Sequence, residues 1–92
     1  MISPGVQRVR LSGVKRIYIT GEYIRLDALL KFASIAATGG EAKIMIQDGE
    51  VFVDHIRCTQ RGKKVRPGEV VRYGRGADVR WLIVTQKNEE AL

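Results

Sequence analysis

A short basic segment, residues 61–66, is the part of the chain with the most distinct chemistry. Four cationic side chains fall within these six residues, with no acidic residue among them: Arg61, Lys63, Lys64 and Arg66. Closely spaced cations suit a polyanion, because each phosphate that a protein neutralises releases condensed counterions. The surrounding region is also basic, since residues 61–92 carry eight basic and four acidic side chains. The basic segment therefore predicts a surface that follows phosphates, and a solvated loop is the competing interpretation of the clustering alone.

The single histidine and the single cysteine, His55 and Cys58, are the candidates for covalent chemistry. A catalytic Cys–His pair needs a fixed mutual geometry and an oxyanion donor. Here both residues flank a predicted β-turn, and a strand cysteine usually serves packing. One cysteine cannot form an internal disulfide, and no cluster of Cys and His residues indicates a metal. We expect no enzymatic activity, no metal and no cofactor.

The bulk composition limits the classes of protein that fit. A chain of 92 residues with 45% hydrophobic residues fits one globular domain. A net charge of +6 at this size is typical of proteins that bind nucleic acid, an acidic protein or an anionic membrane. No apolar run approaches the ~20 residues that span a bilayer, and the first residues lack the apolar core of a signal peptide. We expect a cytoplasmic protein that does not associate with a membrane.

Two helices are predicted in the middle of the chain. Apolar residues at helical spacing predict the first helix over residues 26–37. Asp27 suits the positive end of its dipole and the charge of a nearby basic group. The Thr-Gly-Gly stretch at residues 38–40 is expected to end that helix, because glycine tolerates a positive φ after a C-cap. A shorter second helix is predicted over residues 41–47, with Gly49 at its end.

Short strands are predicted on both sides of the helices. Apolar and β-branched patterns predict strands over residues 8–12, 16–20, 51–53, 56–58, 70–73 and 79–85. The first two are expected to pair as a hairpin around Ser12 and Gly13, and Asp54 and His55 are expected to form a turn. The fold class is therefore α+β: a small single domain with two central helices followed by short, mostly antiparallel strands.

A series of motifs follows the helices and strands in a specific order. Ile-Arg-Leu-Asp-Ala-Leu-Leu-Lys stands at residues 24–31, alternating valines at 51–53, and Pro-Gly-Glu-Val at 67–70, after the basic segment. Together these resemble the alpha-L RNA-binding domain, first described in ribosomal protein S4. Thr-Gly-Gly-Glu-Ala-Lys at residues 38–43, with Arg-Gly-Lys-Lys at 61–64, is similar to the small stand-alone members often called YaaA-like or YbcJ-like.

The resemblance implies a division of the chain and a set of binding residues. Residues 23–86 would form the RNA-binding domain, residues 1–22 an extension with short strands, and residues 87–92 a tail. The residues expected to contact RNA are Arg25, Lys43, Arg61, Lys63, Lys64 and Arg66. The expected partner is structured RNA, ribosomal or transfer RNA, free or within a ribosome or ribosomal precursor. Such binding would serve ribosome assembly or RNA metabolism.

The chain departs from the family pattern at two places. Many members begin the second helix with Ser-Arg, where the arginine contacts RNA, and this chain has Gly39 and Gly40 there. Many also have Asn-Gly after the valine strand, where this chain has Asp54 and His55. The glycine pair either makes a tight turn between the helices or lets a phosphate approach the second helix. Three other roles stay open: an assembly factor that uses the basic face for an acidic protein partner, an accessory domain of an RNA-modifying enzyme, and a DNA-binding protein.

Overall fold

Two helices and seven strands make up the described part of the chain. The computed structural model describes residues 14–75 and 78–87. In chain order the elements are β1 (Val14–Ile19), β2 (Ile24–Arg25), α1 (Leu26–Phe32), α2 (Gly39–Gln47), β3 (Val51–Val53), β4 (Ile56–Arg57), β5 (Lys64–Val65), β6 (Val70–Arg75) and β7 (Asp78–Gln86). The predicted α+β class is confirmed. The predicted strand over residues 8–12, and with it the expected hairpin, lies outside the described residues.

The strands form two sheets. Five of them lie in the order β1-β7-β6-β3-β4, with β1 parallel to β7 and the other neighbours antiparallel. The expectation of mostly antiparallel strands is therefore confirmed. Strands β2 and β5 form a separate antiparallel pair that joins Ile24 to Val65 and Arg25 to Lys64. The sequence pattern does not predict this small sheet, because two residues in each strand are too few to establish a period.

One apolar cluster joins both helices to one face of the five-stranded sheet. Strand alternation turns Val51 and Val53 of β3 into this cluster and leaves Phe52, between them, on the opposite face. The largest fully buried side chains are Leu26, Leu29, Leu30, Ile46, Leu82, Val51, Val65, Val71 and Val84. Because three of these are leucines of α1, the core fixes the position of that helix, on which the basic segment rests.

Helix α1 ends at Phe32, whereas the prediction carried it to residue 37. Ser34 takes a left-handed conformation with a φ of 63°. Its N–H donates to the Lys31 carbonyl at 3.0 Å, and the Ile35 N–H donates to the Leu30 carbonyl at 2.9 Å. This pair of hydrogen bonds is the Schellman motif that closes many helices. The prediction was wrong because the left-handed position usually holds glycine, and a serine gives no such indication.

Gly39 and Gly40 begin α2, so the expectation that they end the preceding helix was also wrong. Thr38 is the N-cap of α2, and its Oγ1 accepts from the Glu41 N–H at 3.1 Å. The Glu41 carboxylate in turn accepts from the Ala37 N–H at 2.6 Å. This reciprocal pair resembles a capping box. Because an acidic side chain already lies at the helix start, the structure favours the tight-turn interpretation of the glycine pair over a phosphate site.

Replacing Ser34 with glycine is expected to raise the free energy of unfolding by about 0.5–1 kcal/mol, since glycine accepts a positive φ without a Cβ clash. Urea unfolding followed by circular dichroism measures the change. The opposite substitution, Gly49→Ala, serves as the control. It is expected to destabilise, because Gly49 has a φ of 80° and a Cβ there would lie 3.3 Å from Arg57 Nε. If the Ser34→Gly protein were no more stable than the wild type, the positive φ of Ser34 would carry no cost in stability, contrary to this prediction.

Strands β3 and β4 are joined by the turn predicted at Asp54 and His55. Both residues have a positive φ, 50° and 73°, which is the pattern of a type I′ hairpin turn. The Asp54 carboxylate also accepts from the Val70 N–H at 2.8 Å. The pair therefore serves as a hairpin turn without the glycine that many family members use, and Asp54 ties this turn to β6.

Candidate nucleic-acid interface

The basic segment lies across the start of α1. The Leu26 N–H donates to the Lys63 carbonyl at 2.8 Å, and the Asp27 N–H donates to the Arg61 carbonyl at 3.1 Å. A helix start leaves its first amide groups without partners inside the helix, and the backbone of the basic segment supplies these partners. The two contacts join residues that are 37 and 34 positions apart in the chain.

Asp27 joins two arginines that come from distant parts of the sequence. Its carboxylate accepts from Arg61 Nε at 2.8 Å and from Arg25 Nε and Nη2 at 3.2 and 3.1 Å. The Asp27 side chain is 10% exposed, whereas those of Arg25 and Arg61 are 55% and 40% exposed. The carboxylate is thus a buried anchor for two guanidinium groups at the surface. The expectation that Asp27 pairs with a nearby basic group at the helix start is confirmed.

The surroundings of Asp27 lower the pKa of its carboxyl group. Burial alone would raise the pKa, because it disfavours the ionised form. Hydrogen bonds from Arg61, from Arg25 and from the Ala28 N–H, which donates at 2.8 Å, stabilise the carboxylate and outweigh that effect. Asp27 is therefore ionised at neutral pH and neutralises part of the charge of the two arginines.

The lowered pKa of Asp27 predicts a pH-dependent contribution to stability. An unfolded aspartate titrates near about pH 3.9. The contribution is therefore fully present above that value and is lost as the pH falls through the lower pKa of the folded state. We expect the difference in free energy of unfolding between the wild type and Asp27→Asn to be constant above about pH 5 and to shrink below about pH 4. Urea unfolding at stepped pH measures this difference, and one that kept its size throughout the acid range would contradict the assignment.

Two more cations, Lys64 and Arg66, lie near the ring of Tyr23, close to Arg25 and Arg61. The pairing of β2 with β5 sets Arg25 opposite Lys64, and opposed residues project from the same face of a sheet. Lys64 Nζ lies 4.9 Å from the centroid of the Tyr23 ring, and Arg66 Cζ lies 5.8 Å from it. Both distances allow cation–π attraction. We call the resulting surface the cationic face and define it by Arg25, Arg61, Lys64 and Arg66.

Lys43 and Lys63 lie outside the cationic face. Lys43 is exposed on α2, and no contact among the described residues joins it to the other cations. Lys63 is half-buried and borders a separate groove together with Ile56 and Glu69. The structure thus brings together four of the six residues predicted from the sequence and sets two apart.

Two aromatic residues beside the cationic face were not among the predicted residues. Tyr23 carries two cations over its ring. Phe32 is 64% exposed and borders a groove with Gly39 and Arg61. Tyr23 immediately precedes the two-residue strand β2, and its spacing of two positions from Arg25 was the available indication for the tyrosine. Phe32 fits the apolar pattern of a helix and gives no comparable indication.

The groups considered for covalent chemistry have other partners. The Cys58 thiol donates to the Gln60 carbonyl at 3.6 Å, and the His55 ring lies edge-on to Trp81 with 6.1 Å between centroids. Within residues 14–75 and 78–87, no group of three or more His, Cys, Asp or Glu side chains is placed to hold a metal ion. No helix in that same part of the chain is long and apolar enough to cross a membrane. The arrangement of the cationic face supports noncovalent binding of an anionic partner.

Comparisons with known proteins point to one family. The family described as the S4 domain matches residues 17–83. The small ribosomal subunit protein uS4 of Novosphingobium aromaticivorans is 34% identical over 59 residues, which are 64% of this chain and 29% of that protein. The probable ribosome maturation protein RlbA of Bacillus subtilis is 38% identical over 55 residues, 60% of this chain and 78% of that protein. The match therefore spans less than a third of the ribosomal protein and most of the maturation protein.

Two solved structures share the fold. The trimeric heat shock protein 15 of Vibrio cholerae superimposes with a TM-score of 0.62 and 26% identity, over 74% of this chain and 68% of its own. The C-terminal domain of tyrosyl-tRNA synthetase superimposes with a TM-score of 0.61 and 17% identity, over 95% of this chain and 91% of its own. At this identity the similarity shows a shared fold alone. The family match confirms the resemblance predicted from the motifs, and it supports a role in RNA binding or ribosome function in general terms. The chain belongs to the S4 domain family.

Proposed function

We propose that this protein is a non-enzymatic module that docks on structured RNA, ribosomal or transfer RNA, through its cationic face. The observation that carries the proposal is the Asp27 cluster, in which a nearly buried carboxylate holds Arg25 and Arg61 at the surface. Lys64 and Arg66, which both lie near the Tyr23 ring, extend the charge. The names of the two relatives, a ribosomal protein and a probable ribosome maturation protein, support the same role.

The geometry of the Asp27 cluster suits phosphate binding. Asp27 accepts from Arg61 through Nε, which leaves the two terminal nitrogens of that guanidinium as donors for phosphate oxygens. Ordering a long side chain on binding costs about 0.5–1.5 kcal/mol. An arginine that the protein already holds in place avoids part of this cost. The cluster therefore favours tight contact with a fixed arrangement of phosphates.

The proposed ligand is structured RNA because of how such a surface reads nucleic acid. Phosphate contacts position a protein without reading sequence. Duplex RNA is recognised mainly through its shape, its phosphates and its 2′-hydroxyls, since its major groove is too narrow for side chains. In this proposal the protein acts in the cytoplasm, in ribosome assembly or RNA metabolism. Lys43 and Lys63 would meet phosphates at the margin of the contact.

A salt titration of binding tests the proposal. Fluorescence anisotropy with a labelled RNA hairpin, at salt concentrations from about 50 to 200 mM, gives the affinity and its salt dependence. The four cations of the cationic face predict a slope of log K against log salt of about −3 to −4, and phosphate contacts of Lys43 and Lys63 would steepen it to about −4 to −5. Competition with single-stranded RNA and duplex DNA of matched length measures the preference for structured RNA. Weak binding that ignores the type of nucleic acid would overturn the proposal and point to an acidic protein partner.

A further inference from the structure

Three exposed aromatic residues line one open groove beside the cationic face. Phe32 of α1 is 64% exposed, Tyr18 of β1 is 55% exposed, and Tyr23 is 42% exposed. All three line the same groove, together with Ile24 and Lys87. We call it the aromatic groove. Single exposed apolar residues are common on protein surfaces, whereas three exposed aromatic residues along one groove form a patch of the kind that marks a binding site.

Phe32 connects the aromatic groove to the cationic face. Phe32 also lines a second groove, whose other lining residues include Lys31, Gly39 and Arg61. The phenylalanine therefore stands between the two tyrosines on one side and the guanidinium of Arg61 on the other. A ligand that crosses Phe32 passes from aromatic contacts to phosphate-binding cations.

The positive charge around these aromatic residues indicates an anionic ligand. Lys64 Nζ lies 4.9 Å from the Tyr23 centroid. Lys31 and Lys87 each border one of the two grooves. Rings that alternate with cations suit unpaired nucleotides, whose bases stack on aromatic side chains while their phosphates meet basic groups. A continuous RNA duplex keeps its bases stacked inside and offers these rings nothing to stack on.

We infer that the aromatic groove takes unpaired nucleotides of the RNA whose paired part rests on the cationic face. The inference rests on the proposed function and narrows its ligand to RNA in which a helix adjoins a bulge, a junction or a single-stranded extension. Phe32 supplies the first stacking platform beyond Arg61, and Tyr18 and Tyr23 receive the nucleotides that follow. The protein would prefer this RNA for its shape and its unpaired bases, and no hydrogen bonds would read the base sequence.

The test uses two RNAs that share one hairpin stem. One is the hairpin alone, with a blunt end, and the other carries a single-stranded extension of about four nucleotides, a length within the site sizes of such platforms. The wild type is expected to bind the extended RNA more tightly. Phe32→Ala is expected to lose about 5- to 100-fold in affinity for the extended RNA, the loss that one base stack represents, and to bind the blunt hairpin as the wild type does. Phe32→Tyr, which keeps a ring, is expected to restore the preference.

Ile44→Ala is the matched control, because Ile44 is 60% exposed on α2 and lines neither groove. It is expected to leave both affinities unchanged. Equal affinity of the wild type for the two RNAs, or a Phe32→Ala protein that keeps the preference, would overturn the inference and leave the proposed function standing. If the wild type binds neither RNA in a salt-dependent manner, the proposed function itself fails. A Phe32→Ala protein that loses equal affinity for both RNAs would place Phe32 in the duplex contact and also overturn the inference.

Discussion

Replacing Asp27 with alanine is expected to lower the free energy of unfolding by about 2–3 kcal/mol. Charge-assisted hydrogen bonds such as the one from Arg61 contribute about 1.5–3 kcal/mol. The hydrogen bond that the Ala28 N–H donates to the Asp27 carboxylate contributes about 1 kcal/mol more. The loss stays below that of a fully buried ion pair, because Arg25 and Arg61 are half-exposed and regain water. Urea unfolding measures the change against a total stability of about 5–14 kcal/mol for this length.

Two variants separate the role of the Asp27 charge from other effects. Asp27→Asn keeps an oxygen acceptor for the helix start and is expected to lose less stability than Asp27→Ala. Asp48→Ala removes an exposed carboxylate at the end of α2 and is expected to stay within about 0.5 kcal/mol of the wild type. If Asp48→Ala and Asp27→Ala destabilise equally, the buried cluster has no special role in stability.

Replacing Lys64 and Arg66 together with alanine is expected to reduce affinity for structured RNA about 30-fold at about 0.15 M salt. Each neutralised phosphate contributes about 0.7 log unit at that salt through counterion release, and two such contacts are lost. The salt slope should fall by about two for the same reason. The stability should change by less than about 1 kcal/mol, because both side chains are exposed and their attraction to Tyr23 is weak at the surface. Anisotropy titration and urea unfolding measure the two effects separately.

A second double variant controls for the loss of net charge. Arg57 and Arg72 lie on the sheet face turned away from the helices, because the guanidinium carbons lie 5.1 and 4.2 Å from the ring centroid of the outward Phe52. Arg57→Ala with Arg72→Ala removes the same number of charges and is expected to change the affinity only slightly. An equal loss in both double variants would mean that net charge, and not the cationic face, governs binding.

Patterns with a local cause were predictable from the sequence. Strand β3 follows from its alternating valines, and the turn at Asp54 and His55 follows from two residues that tolerate a positive φ. Asp27 was recognisable as a helix-start residue with a basic partner, because a carboxylate suits the first turn. These features depend on residues a few positions apart, where the periods of strands and helices act.

Features that depend on long-range contacts were not predictable in the same way. Asp27 and Arg61 are 34 residues apart, and the small β2–β5 sheet brings them together without a periodic pattern of its own. The same sheet turns Lys64 toward Tyr23, while its neighbour Lys63 borders another groove. The clustering of cations in the sequence could therefore locate the basic segment but could not assign its side chains to one surface.

The parallel pairing of β1 with β7 has a consequence for the synthesis of the chain. Each pair of partners in the two strands is 67 positions apart, as for Ile19 and Gln86. A growing chain at about 5–20 residues per second leaves β1 without this partner for about 3–13 s after it is made. Long-range pairing of this kind also closes slowly once both strands exist. The edge of the sheet is therefore completed after most of the domain has been translated, and an exposed β1 is the part of the nascent chain that most needs protection from pairing with other chains.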